Sequence, residues 1–160
     1  LPNAQRDDMS QGYNAYRRNG GGQDMSLNMR KKSTEQSMLS NWLLVALGGA
    51  TGAVLRFYIS ETLPSSSFPW ATLSVNLVGS FLLGVVASAA LTQVISESQA
   101  LLLGVGFLGA FTTMSTFSLE TITLVEQGQW RTAGIYVALS SLVGPILAWT
   151  GWKGGQALLG

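Results

Sequence analysis

The sequence predicts an all-α membrane protein of four transmembrane helices, the third of them broken. Three observations predict it. Apolar runs of spanning length recur four times between short polar breaks. Residues 71–91 hold no charged residue at all, whereas a soluble four-helix bundle would need a charged outer face on each helix. The third run contains "GAFTTMSTFSLET" (109–121), where six hydroxyl residues interrupt an otherwise apolar pattern.

The chain opens on a basic, Gly/Asn/Gln/Ser-rich stretch that cannot bury enough apolar surface to fold alone, so residues 1–37 are expected to be a disordered tail. The formal charge of +1 hides an asymmetry. Arg6, Arg17, Arg18, Arg30, Lys31 and Lys32 lie in or before this tail's end, and only Arg56, Arg131 and Lys153 follow. Such a tail suits RNA or anionic lipid, or is a solvated flank; Met25, Met29 and Met38 each stand where a chain could begin. It does not read as a signal peptide, because no short apolar stretch with a cleavage site follows its basic residues. Residues 38–160 are expected to form one membrane domain, for which no nucleic-acid partner is expected.

The first span is expected over Leu39–Ile59, and the loop "SETLPSSSFP" follows with two prolines and a serine cluster. The second is expected over Trp70–Leu91, closed by "TQVISESQ". The third, Leu101–Leu124, is the most polar, and "VEQGQWR" turns the chain into the fourth, Ala133–Trp152. Trp42, Trp70, Trp130, Trp149 and Trp152 fall near span ends, where amphipathic rings favour the interface. With four spans both termini share a side. Outside the tail, Lys153 on that side faces Arg131 on the other, so the core carries almost no orientational bias and is expected to insert both ways. Gly48 and Gly52 form a G-x-x-x-G, and Gly104, Gly106 and Gly109 crowd the third span, a pattern of close helix approach.

Several chemistries are excluded. There is no cysteine and no histidine, which removes thiolate catalysis, disulfides, and the commonest metal ligand and general base. No covalent chemistry is expected; the chain does not read as an enzyme.

Polar groups inside spans usually face protein or a water-filled path. Asn76 sits midway along the second span, with Thr72 one turn before it and Ser80 one turn after on the same face. It serves equally as interhelical glue or as part of a path. Arg56 lies near the end of the first span and reads as a snorkelling anchor or an anion contact. Glu120, one turn beyond Thr116, reads as an ion entrance or an interfacial residue. Tyr136, Ser140 and Gly144 form a stripe at i, i+4, i+8.

Glycine followed by β-branched residues makes "GAFTTMSTF" poor material for a continuous helix. A helix broken at membrane depth is tolerated where the freed backbone is buried or lines a cavity. Its carbonyls could hold a hard cation. Thr112, Thr113, Ser115, Thr116 and Ser118 offer hydroxyl donors, and Phe117 a positive ring edge, to a small and strongly hydrated anion.

The stretches "GGATGAVLRFYIS", "TLSVNLVGSFLLG" and "GFLGAFTTMSTFSLET" resemble the signature stretches of the Fluc (CrcB) fluoride channels, over roughly residues 43–155. The resemblance implies a small four-span subunit that forms an antiparallel, dual-topology homodimer in the cell (inner) membrane, with two fluoride pores and a structural sodium ion at the dimer interface. It implies that the backbone carbonyls of Gly109 and Thr112 hold the sodium. It implies pore roles for Thr72, Asn76, Ser115, Thr116, Phe117, Ser118, Glu120, Tyr136 and Ser140, and a vestibule or anion contact for Arg56. Met114 stands where the family's usual "TTFSTF" has its first phenylalanine, so a pore position here carries a thioether in place of a ring. The function implied is passive, fluoride-selective export that relieves fluoride toxicity. The alternatives are a small dual-topology exporter of cationic compounds, which needs an acidic residue at mid-span, and a non-transporting membrane assembly subunit.

Overall fold

The computed structural model of the chain describes residues 11, 22–63 and 67–159. It falls into two compact units, Leu1–Ser40 and Asn41–Gly160. Most of the expected tail lies outside the described residues. Helix α1, Gly22–Thr62, nevertheless starts well inside it. Composition placed residues 22–37 in a disordered tail; here they are helical, with their side chains exposed from Leu27 onward. Met, Arg, Lys, Glu and Gln lose little rotamer freedom in a helix. Ser33 and Thr34, which elsewhere compete with the backbone, donate to the Arg30 carbonyl within the helix at 2.8 and 2.9 Å.

The second unit is all helical among its described residues. After α1 come α2, Trp70–Leu91, and the short α3, Glu97–Ala100. A π-helical stretch, Leu101–Leu108, leads to α4, Gly109–Phe111, and then α5, Met114–Glu126. The chain ends with α6, Trp130–Ala138, a π-helical stretch Leu139–Val143, and α7, Gly144–Leu159. Four helical segments are long and apolar enough to cross a membrane: Leu27–Thr62, Trp70–Leu91, Glu97–Glu126 and Trp130–Leu159. The second matches its expected ends. The others run past theirs, because a helix does not stop where its apolar run stops.

Chain reversals have local causes. Gly128, at φ 74°, closes α5 in a Schellman turn: its amide donates to Val125 at 2.9 Å and that of Gln129 to Leu124 at 2.8 Å. Gln93, at φ 57°, does the same for α2, with the Val94 amide on the Ala89 carbonyl at 2.9 Å. Ser96 and Gln99 then form a capping box that starts α3.

The G-x-x-x-G pair packs the first span on the third. A Cβ at Gly48 or Gly52 would overlap the carbonyl oxygen of Leu102 or of Phe107. Gly84 likewise brings the second span onto the Ala148 carbonyl of the fourth. Two apolar clusters follow from this packing, Leu73, Phe117, Leu124, Ala133 and Tyr136 in one, Val75, Leu108 and Phe111 in the other. The outward faces keep large apolar side chains such as Leu43, Val54, Val105 and Leu142 exposed, as lipid or a second subunit would require.

Candidate functional site

The third span breaks at Thr112 and Thr113, where the backbone turns extended: φ −81°, ψ 156° at Thr112 and φ −148°, ψ 117° at Thr113. Side chains replace the lost helical bonds. Asn76, from the second span, grips Thr113 with both polar atoms: its Oδ1 accepts from the Thr113 amide at 2.7 Å, and its Nδ2 donates to the Thr113 carbonyl at 3.0 Å. Thr113 in turn caps α5, its Oγ1 accepting from the Thr116 amide at 3.2 Å and lying 3.0 Å from Thr116 Oγ1. Arg56, from the first span, donates from Nε to the Ala110 carbonyl at 3.0 Å. Its guanidinium thus reaches a carbonyl that the break has separated from its helical donor.

These diversions have a definite result. In an unbroken helix the Gly109 carbonyl takes the Thr113 amide, and the Thr112 carbonyl takes the Thr116 amide. Here the first amide goes to Asn76 and the second to the Thr113 hydroxyl. The carbonyls of Gly109 and Thr112 both lose their helical donors.

Beside the break lies a cavity of about 360 Å³, lined by Asn76, Gly79, Ser80, Thr112, Thr113, Met114, Phe117, Ser140 and Ser141 among others. The first turn of α5 opens toward it, so the positive end of that helix faces the space. Ser140 also lines this cavity, and its Oγ is buried with no hydrogen-bond partner among the described residues. A second cavity, of about 320 Å³, is lined by Phe68, Pro69, Glu120, Thr123, Gln127 and Gln129. Phe117 walls the first cavity and Glu120, one turn on, walls the second.

Between them the second, third and fourth spans are tied together. Thr72 Oγ1 donates to Glu120 Oε1 at 2.9 Å, and Tyr136 Oη donates to Glu120 Oε2 at 2.6 Å. The Phe117 and Tyr136 rings meet with centroids 5.0 Å apart, tilted by 59°. Glu120 is therefore not free: both its oxygens are held by hydroxyls, one from the second span and one from the fourth.

Residues 43–152 match the family described as CrcB-like protein, Camphor Resistance (CrcB). The chain belongs to the CrcB family. Among the family's curated relatives, a fluoride-specific ion channel FluC of Pseudoalteromonas translucida is 45% identical over 112 residues, 68% of this chain and 93% of the relative. That of Thermus thermophilus is 42% identical over 125 residues, covering 76% of this chain and all of the relative. That of Shewanella oneidensis is 49% identical over 105 residues, 64% of this chain and 85% of the relative. With four spanning helices and this membership, the chain is a multi-pass membrane protein.

The residues expected at the CrcB pore fall in different places. Asn76, Thr112, Met114, Phe117 and Ser140 share the first cavity's wall. Thr72, Glu120 and Tyr136 form the hydroxyl–carboxylate cluster, with Thr72 and Tyr136 buried. Ser115 and Ser118 are exposed and line neither cavity; Ser118 Oγ donates to the Met114 carbonyl at 2.9 Å and Ser115 Oγ lies 3.3 Å from Thr113 Oγ1. Thr116 is half-buried and engaged with Thr113. Sequence reasoning grouped Thr113 with the other hydroxyls and missed it as the pivot of the break. A signal was there: a threonine at an N-cap position three residues before a second threonine, ahead of an apolar run. Ser141, and the amides of Gln127 and Gln129 at the second cavity, had no sequence signal.

Among the described residues no group of three or more His, Cys, Asp or Glu side chains could hold a metal ion. A cation at this site would have to take neutral oxygens. The Gly109 and Thr112 carbonyls fit that chemistry, since a hard cation prefers oxygen ligands and neither carbonyl keeps its helical amide donor.

Proposed function

We propose that the chain is a subunit of a fluoride-selective channel that lets fluoride leave the cell passively across the cell (inner) membrane. The carrying observation is the cavity at the broken third span, lined by the start of α5, Asn76, Ser140 and Phe117. A hydrated fluoride entering there exchanges water for amide, hydroxyl and ring-edge donors without meeting a free cation that would trap it. Asn76 has one N–H committed to Thr113, and its amide also lines the cavity, so it contributes its second N–H to the path. Phe117 leads to the Thr72–Glu120–Tyr136 cluster, where the carboxylate is masked by two hydroxyl donors, and from there to the second cavity. No bond is made or broken along this route.

The working unit in this reading is an antiparallel, dual-topology homodimer. Met114 is 72% exposed beside Ser115, Ser118 and Gly109, so hydroxyls and a glycine face outward at membrane depth, where lipid offers no hydrogen bonds. A Cβ at Gly109 would meet no neighbour in this chain nearer than the Gly104 carbonyl oxygen at 3.7 Å. The chain itself gives no packing reason for glycine; a second subunit packed on the break does. Two copies facing one another across a two-fold axis bring together four carbonyls, from Gly109 and Thr112 of each, a fitting oxygen set for a structural sodium ion.

The test is fluoride efflux from liposomes bearing the purified protein, followed with a fluoride electrode. Fluoride is expected to leave rapidly and chloride not at all. Efflux no faster than from protein-free liposomes would refute the channel reading.

A further inference from the structure

We infer that Arg56 is a positioning residue for the broken third span: it fixes the carbonyls of Gly109 and Thr112 and does not serve to collect anions. The inference rests on the cation-site reading above. Arg56 is half-buried, and its Nε reaches across from the first span to the Ala110 carbonyl at 3.0 Å. Ala110 immediately follows Gly109. Its usual donor, the amide of Met114, opens α5 on the far side of the break, so Arg56 supplies the bond that the helix no longer does. On that far side Asn76 grips Thr113, which immediately follows Thr112. Each cation-facing carbonyl is thus followed in the chain by a residue whose own carbonyl is held by a side chain from another span. With both neighbours held, the orientations of the Gly109 and Thr112 peptides are fixed before any ion arrives.

The residue type agrees. A guanidinium presents Nε–H as part of a rigid planar fork, whereas a lysine ammonium is a flexible point charge that would not hold one carbonyl in one orientation. Its positive charge, taken alone, would weaken a cation site nearby. Positioning and charge therefore predict opposite signs, which makes the role separable.

The experiment follows the thermal unfolding midpoint of the full-length protein in detergent as sodium replaces N-methylglucamine at constant ionic strength, for the unmodified chain, Arg56→Lys and Arg56→Gln. The unmodified chain is expected to show a sodium-specific rise in midpoint. Both variants are expected to need about tenfold more sodium for half of that rise. If Arg56→Lys follows the unmodified chain, or Arg56→Gln binds sodium more tightly, then Arg56 acts through its charge and the inference is overturned while the cation site stands. If the unmodified chain shows no sodium-specific rise, the cation site itself falls, and the role assigned to Arg56 falls with it.

Discussion

Aspartate in place of Asn76 divides what that residue does for the backbone from what it does for an anion. The carboxylate keeps an acceptor for the Thr113 amide, now at 2.7 Å, but loses the donor that meets the Thr113 carbonyl at 3.0 Å. Two oxygens then face each other where a hydrogen bond stood, at a cost of roughly 1–3 kcal/mol. The second cost falls on the path. A fluoride about 4 Å from a carboxylate, at an effective dielectric constant of about 20, is repelled by about 4 kcal/mol. At about 1.4 kcal/mol per decade, that alone slows passage about a thousandfold. Asn76→Ala is the control, because it loses both bonds to Thr113 and adds no charge. Fluoride efflux from liposomes should fall to background in Asn76→Asp and less far in Asn76→Ala, while size exclusion in detergent reports whether the assembly survives. Efflux in Asn76→Asp within about threefold of the unmodified chain would show that the residue is outside the anion path. Equal losses in the two variants would assign the whole effect to the clamp on Thr113.

Met114→Phe should raise fluoride efflux about fivefold, because a ring edge in a dry site is worth about 1 kcal/mol over a thioether; an equal or lower rate means the missing ring is not limiting. Gly52→Ala should lower the thermal midpoint in detergent by an amount corresponding to at least 1–3 kcal/mol, since the new Cβ overlaps the Phe107 backbone, whereas Gly134→Ala, with nothing within 4 Å, should leave it level or raise it. Ser98→Cys, beside Glu97 in α3 at the start of the third span and unique in a chain without cysteine, should be labelled by an impermeant reagent in about half the molecules of intact cells. One-sided labelling would rule out the antiparallel homodimer.

The spans were legible because the bilayer imposes length and apolarity on each segment separately, and Trp70–Leu91 emerged with both ends in place. The break was legible for a related reason: a glycine followed by β-branched hydroxyl residues is a local conflict with helix that no distant contact needs to explain. What the break does with its backbone was not legible. Asn76 stood open between glue and pathway; the tie is what the packing reveals, since its bonds run to a backbone 37 positions away that only the packing brings near. Arg56 read as a snorkelling anchor or an anion contact from its place near a span end; close packing at Gly48 and Gly52 draws the first span onto the third and brings a carbonyl to its guanidinium. Glu120 read as an entrance or interfacial group from its position alone. Its partners, Thr72 and Tyr136, come from two other helices. Residues 22–37 went the other way, because composition measures the ability to form a core and says little about local helix propensity.

A single break supplies both polarities that a channel of this kind needs. The helical stretch that ends at Phe111 presents carbonyls to the gap, the negative end of its dipole, and α5 begins on the far side with the positive end of its own. Carbonyl oxygens on one side suit a cation, and amides on the other suit an anion, without an ionised side chain at either place. Asn76 joins the two, because the amide it draws away from Gly109 is the same bond that orients Thr113 to cap α5. Loss of the carbonyl's helical donor and exposure of the next helix's amides are thus one event in the backbone. In the proposed channel, methionine at position 114 therefore leaves the amide donors in place, because the break sets them, and lacks only the ring edge.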